Sequence, residues 1–242
     1  MTIAGSDSGG EAGIQADLKV FALLGVHGAT AITCLTAQNR LAISRLAPCP
    51  PEMVRAQMEA VAEGYSIAAA KTGMLFSAEI VREAVRFFKQ RPQIPLVVDP
   101  VIISTSGRRL LQITGLKTLQ RELLPLAAMV TPNVAEAEIF LGRKINSAAQ
   151  LRAAAREIYE SFGCAALIKG GHLRGAKEAV DFFYGPEGEW MISALRLENV
   201  VLHGTGCIYS AAIAAGMACG KSAIKSIELA KQHITQAIAC VS

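Results

Sequence analysis

Short apolar runs alternate with longer segments of helical periodicity along most of the chain, and no other feature of the sequence restricts its fold as much. Strands that alternate with helices form β-α-β units, whose crossover connections require a mainly parallel sheet covered on both faces. The sequence therefore predicts an α/β fold with three layers, α/β/α, around a mainly parallel central sheet. The predicted strands are residues 1–4, 29–35, 69–72, 96–98, 129–130 and 165–168, and the predicted helices are residues 15–24, 51–63, 78–90 and 148–162.

A turn-rich segment at residues 184–188 separates two further predicted strands, 179–183 and 190–193. Strands joined by so short a connection usually pair in opposite directions. This pair is therefore predicted to form an antiparallel hairpin, after which the chain returns to helix.

Composition and charge narrow the class of protein. With 242 residues, 52% of them hydrophobic, the chain can bury one large core, so a single domain over residues 1–242 is predicted. The longest apolar stretches, such as 211–218, fall short of the roughly 20 residues that a membrane span needs. The net charge of +4 comes from dispersed Lys and Arg, which argues against a nucleic-acid partner. No basic segment followed by an apolar one opens the sequence, so cytoplasmic residence is expected.

Polar or glycine-rich residues directly follow six of the predicted strands. Parallel sheets bind their ligands beyond the carboxyl ends of the strands. We therefore expect these residues to line one rim of the sheet and to form a binding site. In chain order they are 5–7, 37–39, 73–74, 99–100, Asn133 and 169–172.

The sequence His203-Gly204-Thr205-Gly206-Cys207 precedes a segment, 208–215, with the composition of a packed helix. The free amides and the positive dipole at a helix amino terminus suit a phosphoryl group. The same positive end is expected to lower the pKa of the Cys207 thiol from about 8.5 toward neutrality, so that Cys207 could accept a proton. The alternative is a loop that only starts a helix, with Cys207 as a packing residue.

Residues 5–13 form a second glycine-rich loop, between a strand and a helix. This loop lacks the Gly-Lys-Ser/Thr ending of a P-loop and departs from the dinucleotide-binding pattern, so ATP binding does not follow from it. A tight turn without a ligand is the favoured interpretation.

Asn133 and Glu136 stand three residues apart at the start of a short helical segment, which brings their side chains to one face. With Asp99 nearby they could hold Mg²⁺ through water, because magnesium needs few carboxylates. The alternative is a capping box, in which Asn133 caps the helix and Glu136 is its partner. Lys169 could contact phosphate oxygens or point into water, and His172 could contact a ligand or be an ordinary loop residue.

Eight short motifs appear together and in order along nearly the whole chain. They are Ala4-Gly5-Ser6-Asp7, 12–19, Thr36-Ala37-Gln38-Asn39, Lys71-Thr72-Gly73-Met74, Val98-Asp99-Pro100-Val101, Thr131-Pro132-Asn133, Lys169-Gly170-Gly171-His172 and 203–207. In these motifs the chain resembles the hydroxymethylpyrimidine and hydroxymethylpyrimidine-phosphate kinases of thiamine biosynthesis, a branch of the ribokinase-like superfamily. The resemblance implies a ribokinase-like fold and two successive ATP-dependent phosphorylations of one pyrimidine.

The resemblance also implies roles for the residues of the motifs. On the substrate side, Gln38 would hydrogen-bond the aminopyrimidine, and the other positions of its pocket would be Gly5, Ala12, Met74, Val101 and Asp17. On the nucleotide side, Asp99 and Glu136 would hold Mg²⁺, and the phosphate contacts would be Lys169, Thr205, Asn133 and His203. The catalytic residues would be Cys207 as the base, with Gly204, Thr205 and Gly206.

Several positions depart from the pattern of this family. Glu11 replaces a Gly in the first loop and adds a negative charge close to where substrate phosphates would lie. Val201-Leu202 and Ile208 replace polar residues around the 203–207 motif. Thr105 replaces a usual Lys and Arg108 a usual acid. These departures bear mainly on the second, phosphorylated substrate.

Two other functions are compatible with the same residues. The first is a pyridoxal kinase of the same superfamily, since pyridoxal also carries a hydroxymethyl group on a heteroaromatic ring, although Gln38 favours an aminopyrimidine. The second is a non-catalytic pyrimidine-binding protein. A homodimer is expected from the resemblance alone.

Overall fold

The computed structural model describes residues 1–104, 107–171, 178–195 and 204–239. Within these residues nine strands form one sheet. The strands are β1 (Thr2–Asp7), β2 (Thr30–Gln38), β3 (Ile43–Pro48), β4 (Ala70–Thr72), β5 (Leu96–Val98), β6 (Met129–Val130), β7 (Ala165–Lys169), β8 (Glu178–Gly185) and β9 (Gly188–Leu195).

The sheet is parallel in its middle and antiparallel at both edges. Its strand order is β3-β2-β1-β4-β5-β6-β7-β8-β9. The six strands from β2 to β7 in this order run parallel, which confirms the predicted sheet type. At one edge β3 pairs antiparallel with β2. At the other edge β8 and β9 form the predicted antiparallel hairpin, closed by the pair Gly185 and Gly188.

Helices cover both faces of the sheet, as the three-layer prediction requires. One core joins β4 to β7 with helices α2 to α6, and the other joins the opposite face of the sheet with α1, α7 and α8. The helices are α1 (Gly13–Leu23), α2 (Pro51–Gly64), α3 (Ala78–Lys89), α4 (Ile113–Thr118), α5 (Val134–Leu141), α6 (Ala148–Phe162), α7 (Thr205–Ala218) and α8 (Ala223–Ala239).

Strand β5 shows how an apolar run serves both cores. Leu96 and Val98 pack into the first core and Val97 into the second, and none of the three side chains is exposed. Successive side chains of a strand point to opposite faces, so a strand covered on both faces must be apolar throughout. This is why β5 appears in the sequence as a continuous apolar run.

Helix ends follow standard capping chemistry. The hydroxyl groups of Ser77 and Ser147 accept hydrogen bonds from the third residue of α3 and of α6. Gly142 and Gly163 end α5 and α6 in the left-handed conformation, with φ of 67° and 74°. The prediction of helix 148–162 is confirmed residue for residue, and the other predicted helices and strands lie within three residues of the observed ones.

Two elements were missing from the sequence prediction. Strand β3 is an edge strand whose residues are all exposed or half-buried, so it lacks the apolar signal of the central strands. Helix α4 has only six residues and continues into a π-helical turn, Leu119–Leu123, and a 3-10 turn, Leu124–Leu126. Within the described ranges, no helix combines the length and the apolar character needed to cross a membrane.

Candidate active site

Helix α7 begins beside the first glycine-rich loop. Gly204 precedes the helix with φ of 79°, and a Cβ there would collide with the carbonyl oxygen of Glu11. The amides of Thr205, Gly206 and Cys207 have no hydrogen-bond acceptor among the described residues, and no side chain caps the helix. These amides and the positive end of the helix dipole can therefore bind an anion.

Three residues from distant parts of the chain meet at the first turn of α7. Lys169 ends β7, and its Nζ lies 3.1 Å from Oδ1 of Asp99, which follows β5. A Cβ on Gly206 would lie 3.3 Å from Lys169 Nζ and 3.8 Å from Asp99 Oδ2. Glycine at position 206 therefore keeps the helix terminus close to the ammonium and the carboxylate, which belong to two of the six segments of the predicted rim.

The Lys169 side chain is 14% exposed, so the interpretation in which it points into water is wrong. Burial alone would lower the pKa of Lys169, but the charges of Asp99 and Glu136 raise it above its ordinary value. Lys169 therefore stays protonated at neutral pH. The second oxygen of Asp99, Oδ2, accepts a hydrogen bond from Ser210 Oγ at 3.1 Å, which fixes the carboxylate against α7.

The predicted low pKa of Cys207 is wrong. Burial raises the pKa of this thiol to about 11, and the ammonium of Lys71 and a hydrogen bond from the Gly13 amide only partly oppose that effect. The negative charges of Asp17 and Asp99 raise the pKa of this thiol further. At neutral pH Cys207 is therefore mostly a thiol.

Asp17 does not line a substrate pocket, contrary to the prediction. It is fully buried, and both of its carboxylate oxygens contact Lys71 Nζ, at 2.7 and 2.8 Å. Thr2 donates a further hydrogen bond to Asp17 Oδ2 at 2.6 Å. Burial alone would lower the pKa of Lys71, but Asp17, Cys207 and Asp99 together raise it. Asp17 therefore fixes the buried Lys71 ammonium, whose positive charge partly opposes the rise in the pKa of Cys207.

The loop of residues 5–13 folds around its own carboxylate. Asp7 Oδ1 accepts a hydrogen bond from the amide of Gly9 at 2.8 Å, and Asp7 Oδ2 accepts from Glu11 at 3.0 Å and from Ala12 at 2.9 Å. Gly13 has φ of 58°, and a Cβ there would collide with the carbonyl oxygen of Gly5. The loop amides are thus occupied by Asp7, which supports the interpretation of a tight turn without a phosphate.

The capping-box interpretation of Asn133 and Glu136 is confirmed. Asn133 Oδ1 accepts from the Glu136 amide at 2.9 Å, and Glu136 Oε2 accepts from the Asn133 amide at 3.0 Å. Glu136 Oε1 also accepts from the amide of Ile102 at 3.1 Å. Burial raises the pKa of Glu136, while the charge of Lys169 opposes that shift.

The donor set around Asp99 and Glu136 limits how Mg²⁺ could bind. Each carboxylate already accepts hydrogen bonds or an ion pair on both oxygens, and no group of three His, Cys, Asp or Glu side chains converges in the described part of the chain. Magnesium commonly keeps several waters and binds substrate phosphates with one or two carboxylates. The residues therefore fit a magnesium ion held through water and phosphate oxygens, and do not fit a cage of protein ligands.

Gln38 lies in a cleft of about 200 Å³ at the end of β2. The cleft has a charged wall, because Arg40 Nε lies 2.6 Å from Glu11 Oε1. The described lining residues do not include Gly5, Ala12, Met74 or Val101. They are Asp7, Gly9, Glu11, Gln38, Asn39 and Arg40.

Three of the other predicted pocket residues, Gly5, Met74 and Val101, lie together. A Cβ on Gly5 would lie 2.6 Å from Met74 Cε, and Val101 packs against the small cluster of Cys34, Met74 and Leu110. Val101 has φ of 43°, an unfavourable conformation for a β-branched residue. Such strain tends to occur at functional sites, which adds weight to this position.

Five residues singled out in the sequence lie outside the described residues, namely His203, His172, Thr105, Val201 and Leu202.

Comparison with known proteins identifies the family. The sequence pattern of a family described as phosphomethylpyrimidine kinase matches residues 7–241. The chain belongs to the phosphomethylpyrimidine kinase family. Among curated members, a hydroxymethylpyrimidine/phosphomethylpyrimidine kinase of Rhizobium meliloti (strain 1021) is 44% identical over 242 residues, which are 98% of this chain and 89% of the relative.

Solved structures agree with this family and with its superfamily fold. The crystal structure of a phosphomethylpyrimidine kinase from Clostridium difficile 630 has a TM-score of 0.86 and 39% identity, covering 98% of this chain and 97% of the other. A pyridoxal kinase from Staphylococcus aureus, in complex with AMP-PCP and pyridoxal, has a TM-score of 0.86 and 31% identity, covering 98% and 86%. The ribokinase-like α/β fold is thus confirmed.

Three residues that shape the site received no role from the sequence of this phosphomethylpyrimidine kinase family member, although Asp7 belongs to the predicted rim and Lys71 to one of the motifs. Lys71, Asp7 and Ser210 are all nearly or fully buried and make charged or polar contacts around the rim. Lys71 could have been noticed as a charged residue inside a short buried strand, because an unpaired lysine is seldom fully buried. Asp7 and Ser210 carry no such signal, since Asp in a turn and Ser in a helix are common.

Proposed function

We propose that this chain transfers the γ-phosphoryl group of ATP to the hydroxymethyl group of 4-amino-5-hydroxymethyl-2-methylpyrimidine, and then phosphorylates the resulting monophosphate to the diphosphate, in thiamine biosynthesis. The observation that carries the proposal is the meeting at Gly206 of the free α7 amides, the Lys169 ammonium and the thiol-bearing Cys207. Membership of the phosphomethylpyrimidine kinase family supports the choice of substrate.

The transferred phosphoryl group would bind at the amino terminus of α7. In phosphoryl transfer the charge is spread over the oxygens of the migrating group, so catalysis depends on positioning and electrostatic stabilisation. The amides of Thr205, Gly206 and Cys207 would donate to these oxygens, and the Lys169 ammonium would face them from the end of β7. Asp99 keeps Lys169 in place through the contact at 3.1 Å.

Cys207 would accept the proton of the substrate alcohol. The alcohol oxygen attacks the γ-phosphorus, the bond from that phosphorus to the bridging oxygen breaks, ADP leaves, and the proton passes to the thiolate of Cys207. Because burial raises the pKa of Cys207 to about 11, only a small fraction of the protein carries this thiolate at neutral pH. The buried ammonium of Lys71 stabilises that fraction.

Mg²⁺ would be held by Asp99 and Glu136 through water, with Asn133 near the phosphates. The ion would neutralise charge on the phosphate oxygens when bound. Within this chain, the capping box keeps Glu136 in place, and Lys169 and Ser210 keep Asp99 in place.

Gln38 would hydrogen-bond the pyrimidine ring in its cleft. The adjacent wall would be formed by Gly5, Ala12, Met74 and Val101. An amide side chain can both donate to a ring nitrogen and accept from the amino group, which suits an aminopyrimidine edge. The second candidate is pyridoxal, since the Staphylococcus aureus relative was solved with that compound. The pyridoxal kinase is 31% identical to this chain, whereas the two phosphomethylpyrimidine kinases are 39% and 44% identical, so pyridoxal is the weaker choice of substrate.

The test is a coupled assay of ADP release with purified protein, ATP and Mg²⁺, using the hydroxymethylpyrimidine and pyridoxal in parallel. We expect kcat/KM for the pyrimidine to exceed that for pyridoxal by at least about tenfold, the equivalent of one well-made hydrogen bond to the ring. Mass analysis of the product would distinguish one added phosphate from two. Faster turnover of pyridoxal would overturn the substrate, and tight pyrimidine binding in calorimetry with no ADP release would indicate a non-catalytic binding protein.

We also infer that residues 1–242 act as a single domain, which the continuity of the nine-stranded sheet supports. A homodimer and cytoplasmic residence stay predictions.

A further inference from the structure

The cleft around Gln38 borders the site proposed for phosphoryl transfer. Glu11 makes this connection, because its backbone carbonyl lies against Gly204 at the start of α7 while its side chain pairs with Arg40 in the wall of the cleft. A pyrimidine held by Gln38 would therefore lie beside the Glu11–Arg40 pair. A phosphate on the hydroxymethyl oxygen of the ring would then lie near this pair.

The second phosphorylation brings two anions together. The acceptor is then a phosphate monoester with about −1.5 to −2 charges, and it must approach the γ-phosphate of ATP. Lys169 is already paired with Asp99, and the loop amides of residues 9–12 already donate to Asp7. The loop amides cannot serve the new phosphate without giving up Asp7, and Lys169 is already assigned to the transferred phosphoryl group.

Arg40 is the one cationic side chain among the described residues that line the cleft. It is 81% exposed and contacts Glu11 through Nε only, at 2.6 Å, so both Nη groups remain available. Two parallel N–H groups of a guanidinium match two oxygens of a phosphate. Exposed ion pairs contribute little stability, so a phosphate with up to twice the charge of Glu11 can displace the carboxylate from Arg40.

We propose that Arg40 binds the phosphate of the monophosphate substrate in the second step, and that Glu11 holds the guanidinium in its place until that phosphate arrives. Arg40 is then a specificity-determining residue that favours the phosphorylated substrate over the alcohol. Glu11 is a competitor that weakens this preference and positions Arg40 at the same time. This inference rests on the proposed function, since it assigns a residue to the second of its two steps.

The test compares the two substrates in each variant. The quantity measured is the ratio of kcat/KM for the monophosphate to kcat/KM for the alcohol, in the wild type and in Arg40→Gln, Arg40→Lys and Glu11→Gln. We expect Arg40→Gln to lower this ratio at least about tenfold through KM for the monophosphate, since hydrogen bonds between charged groups are the stronger ones. Arg40→Lys should lower it less, because the charge remains and the paired N–H groups are lost. Glu11→Gln should raise it.

The matched control is Arg45→Gln. Arg45 is an exposed arginine on the neighbouring strand β3 and does not line the cleft. Its substitution is expected to leave the ratio within about twofold of the wild type, as for most surface substitutions. Thermal unfolding of each variant would show that the fold is intact.

The outcomes separate the inference from the function on which it rests. If the wild type does not phosphorylate the alcohol, the proposed function is wrong. If the wild type phosphorylates the alcohol and Arg40→Gln leaves the ratio unchanged, or lowers both kcat/KM values equally, the assignment of Arg40 is wrong. A rise in KM for ATP alone would place Arg40 on the nucleotide and would also contradict the assignment.

Discussion

The two glycine-rich loops of this protein look alike in sequence and differ in what their amides do. In the loop of residues 5–13, three amides donate to the Asp7 carboxylate, which lies within the same loop. At the start of α7, the amides of Thr205, Gly206 and Cys207 have no acceptor in the described part of the chain. The first loop already contains its anion, and the second is open to one.

This difference teaches that glycine content alone does not predict a phosphate site. Glycine allows a backbone to curl its amides around an anion, but a carboxylate two to five residues away can fill the same space. The two loops also touch, since Gly204 lies against Glu11. The loop of residues 5–13 therefore forms part of the wall around the amino terminus of α7. A variant in one loop can thus show how that loop affects the other.

The largest effect is expected from Cys207→Ala, which removes the proposed base from the open loop. Turnover should fall by about 10² or more, within the range of 10² to 10⁴ typical of general bases, with little change in pyrimidine affinity. Steady-state kinetics together with calorimetry would measure both quantities. Equal losses of turnover and affinity would show that the thiol only supports the structure.

The pH dependence of turnover tests the same residue without removing it. The pKa of Cys207 is raised to about 11, so the thiolate fraction should increase about tenfold for each pH unit from 7 to 10, and turnover should rise with it. The free energy of unfolding should fall as the pH rises from about 9, the ordinary pKa of the thiol, to about 11, its pKa in the folded protein. In this range the native state still binds a proton that the unfolded state has lost.

A matched comparison for this profile is Cys207→Asp, whose carboxylate has an ordinary pKa of about 3.9. Its rate should depend much less on pH above neutrality. A wild-type profile that is flat from pH 7 to 10 would contradict the role of Cys207 as the base.

Gly204→Ala tests the point where the two loops meet. Position 204 has φ of 79°, and a methyl group there would collide with the Glu11 carbonyl, so the loops must separate. We expect kcat/KM for ATP to fall about 10²-fold, as when a donor to a developing oxyanion is lost. Gly142→Ala is the matched control, because Gly142 has φ of 67° with nothing near its Cβ position and lies at the end of α5. Wild-type kinetics in Gly204→Ala would show that the contact does not position the amides.

Much of the fold could be predicted because its central strands and helices have clear periodicity. Strand β5 is apolar because both of its faces are buried, and α6 has a serine cap, an amphipathic body and a terminal glycine. Strand β3 was missed because pairing with β2 alone holds it at the edge, where no apolar pattern is required.

Part of the rim of the site could also be predicted, since Asp99 and Asn133 follow successive parallel strands and Lys169 ends the next one. The protonation and the pairing of the individual groups could not be predicted. The pKa of Cys207 depends on how much solvent the fold removes, and the pairing of Asp17 with Lys71 joins residues 54 positions apart. Arg40 was not noticed because one charged residue after a strand has no pattern, and only the structure brings Glu11 to it.

The smallest effect is expected from opening the closed loop with Asp7→Ala. The amides of Gly9, Glu11 and Ala12 would lose their common acceptor, which is 4% exposed, so the free energy of unfolding should fall by about 2 kcal/mol. Urea denaturation of the variant and the wild type would measure this loss. Lys19→Met is the control, because Lys19 donates only an exposed hydrogen bond to the Gly10 carbonyl, and its loss should cost less than about 1 kcal/mol.

Stabilisation by inorganic phosphate tests whether the loop of residues 5–13, once Asp7 is removed, binds an anion as the amino terminus of α7 does. With Asp7 removed, three amides face a space of the right charge for an anion, so phosphate should restore part of the lost stability of Asp7→Ala. The same phosphate concentration should stabilise Lys19→Met no more than the wild type, in which the α7 terminus is the only open site among the described loops compared above. If phosphate stabilises all three proteins equally, the Asp7 carboxylate is not what closes the first loop, and the difference between the two loops must come from their backbone conformation.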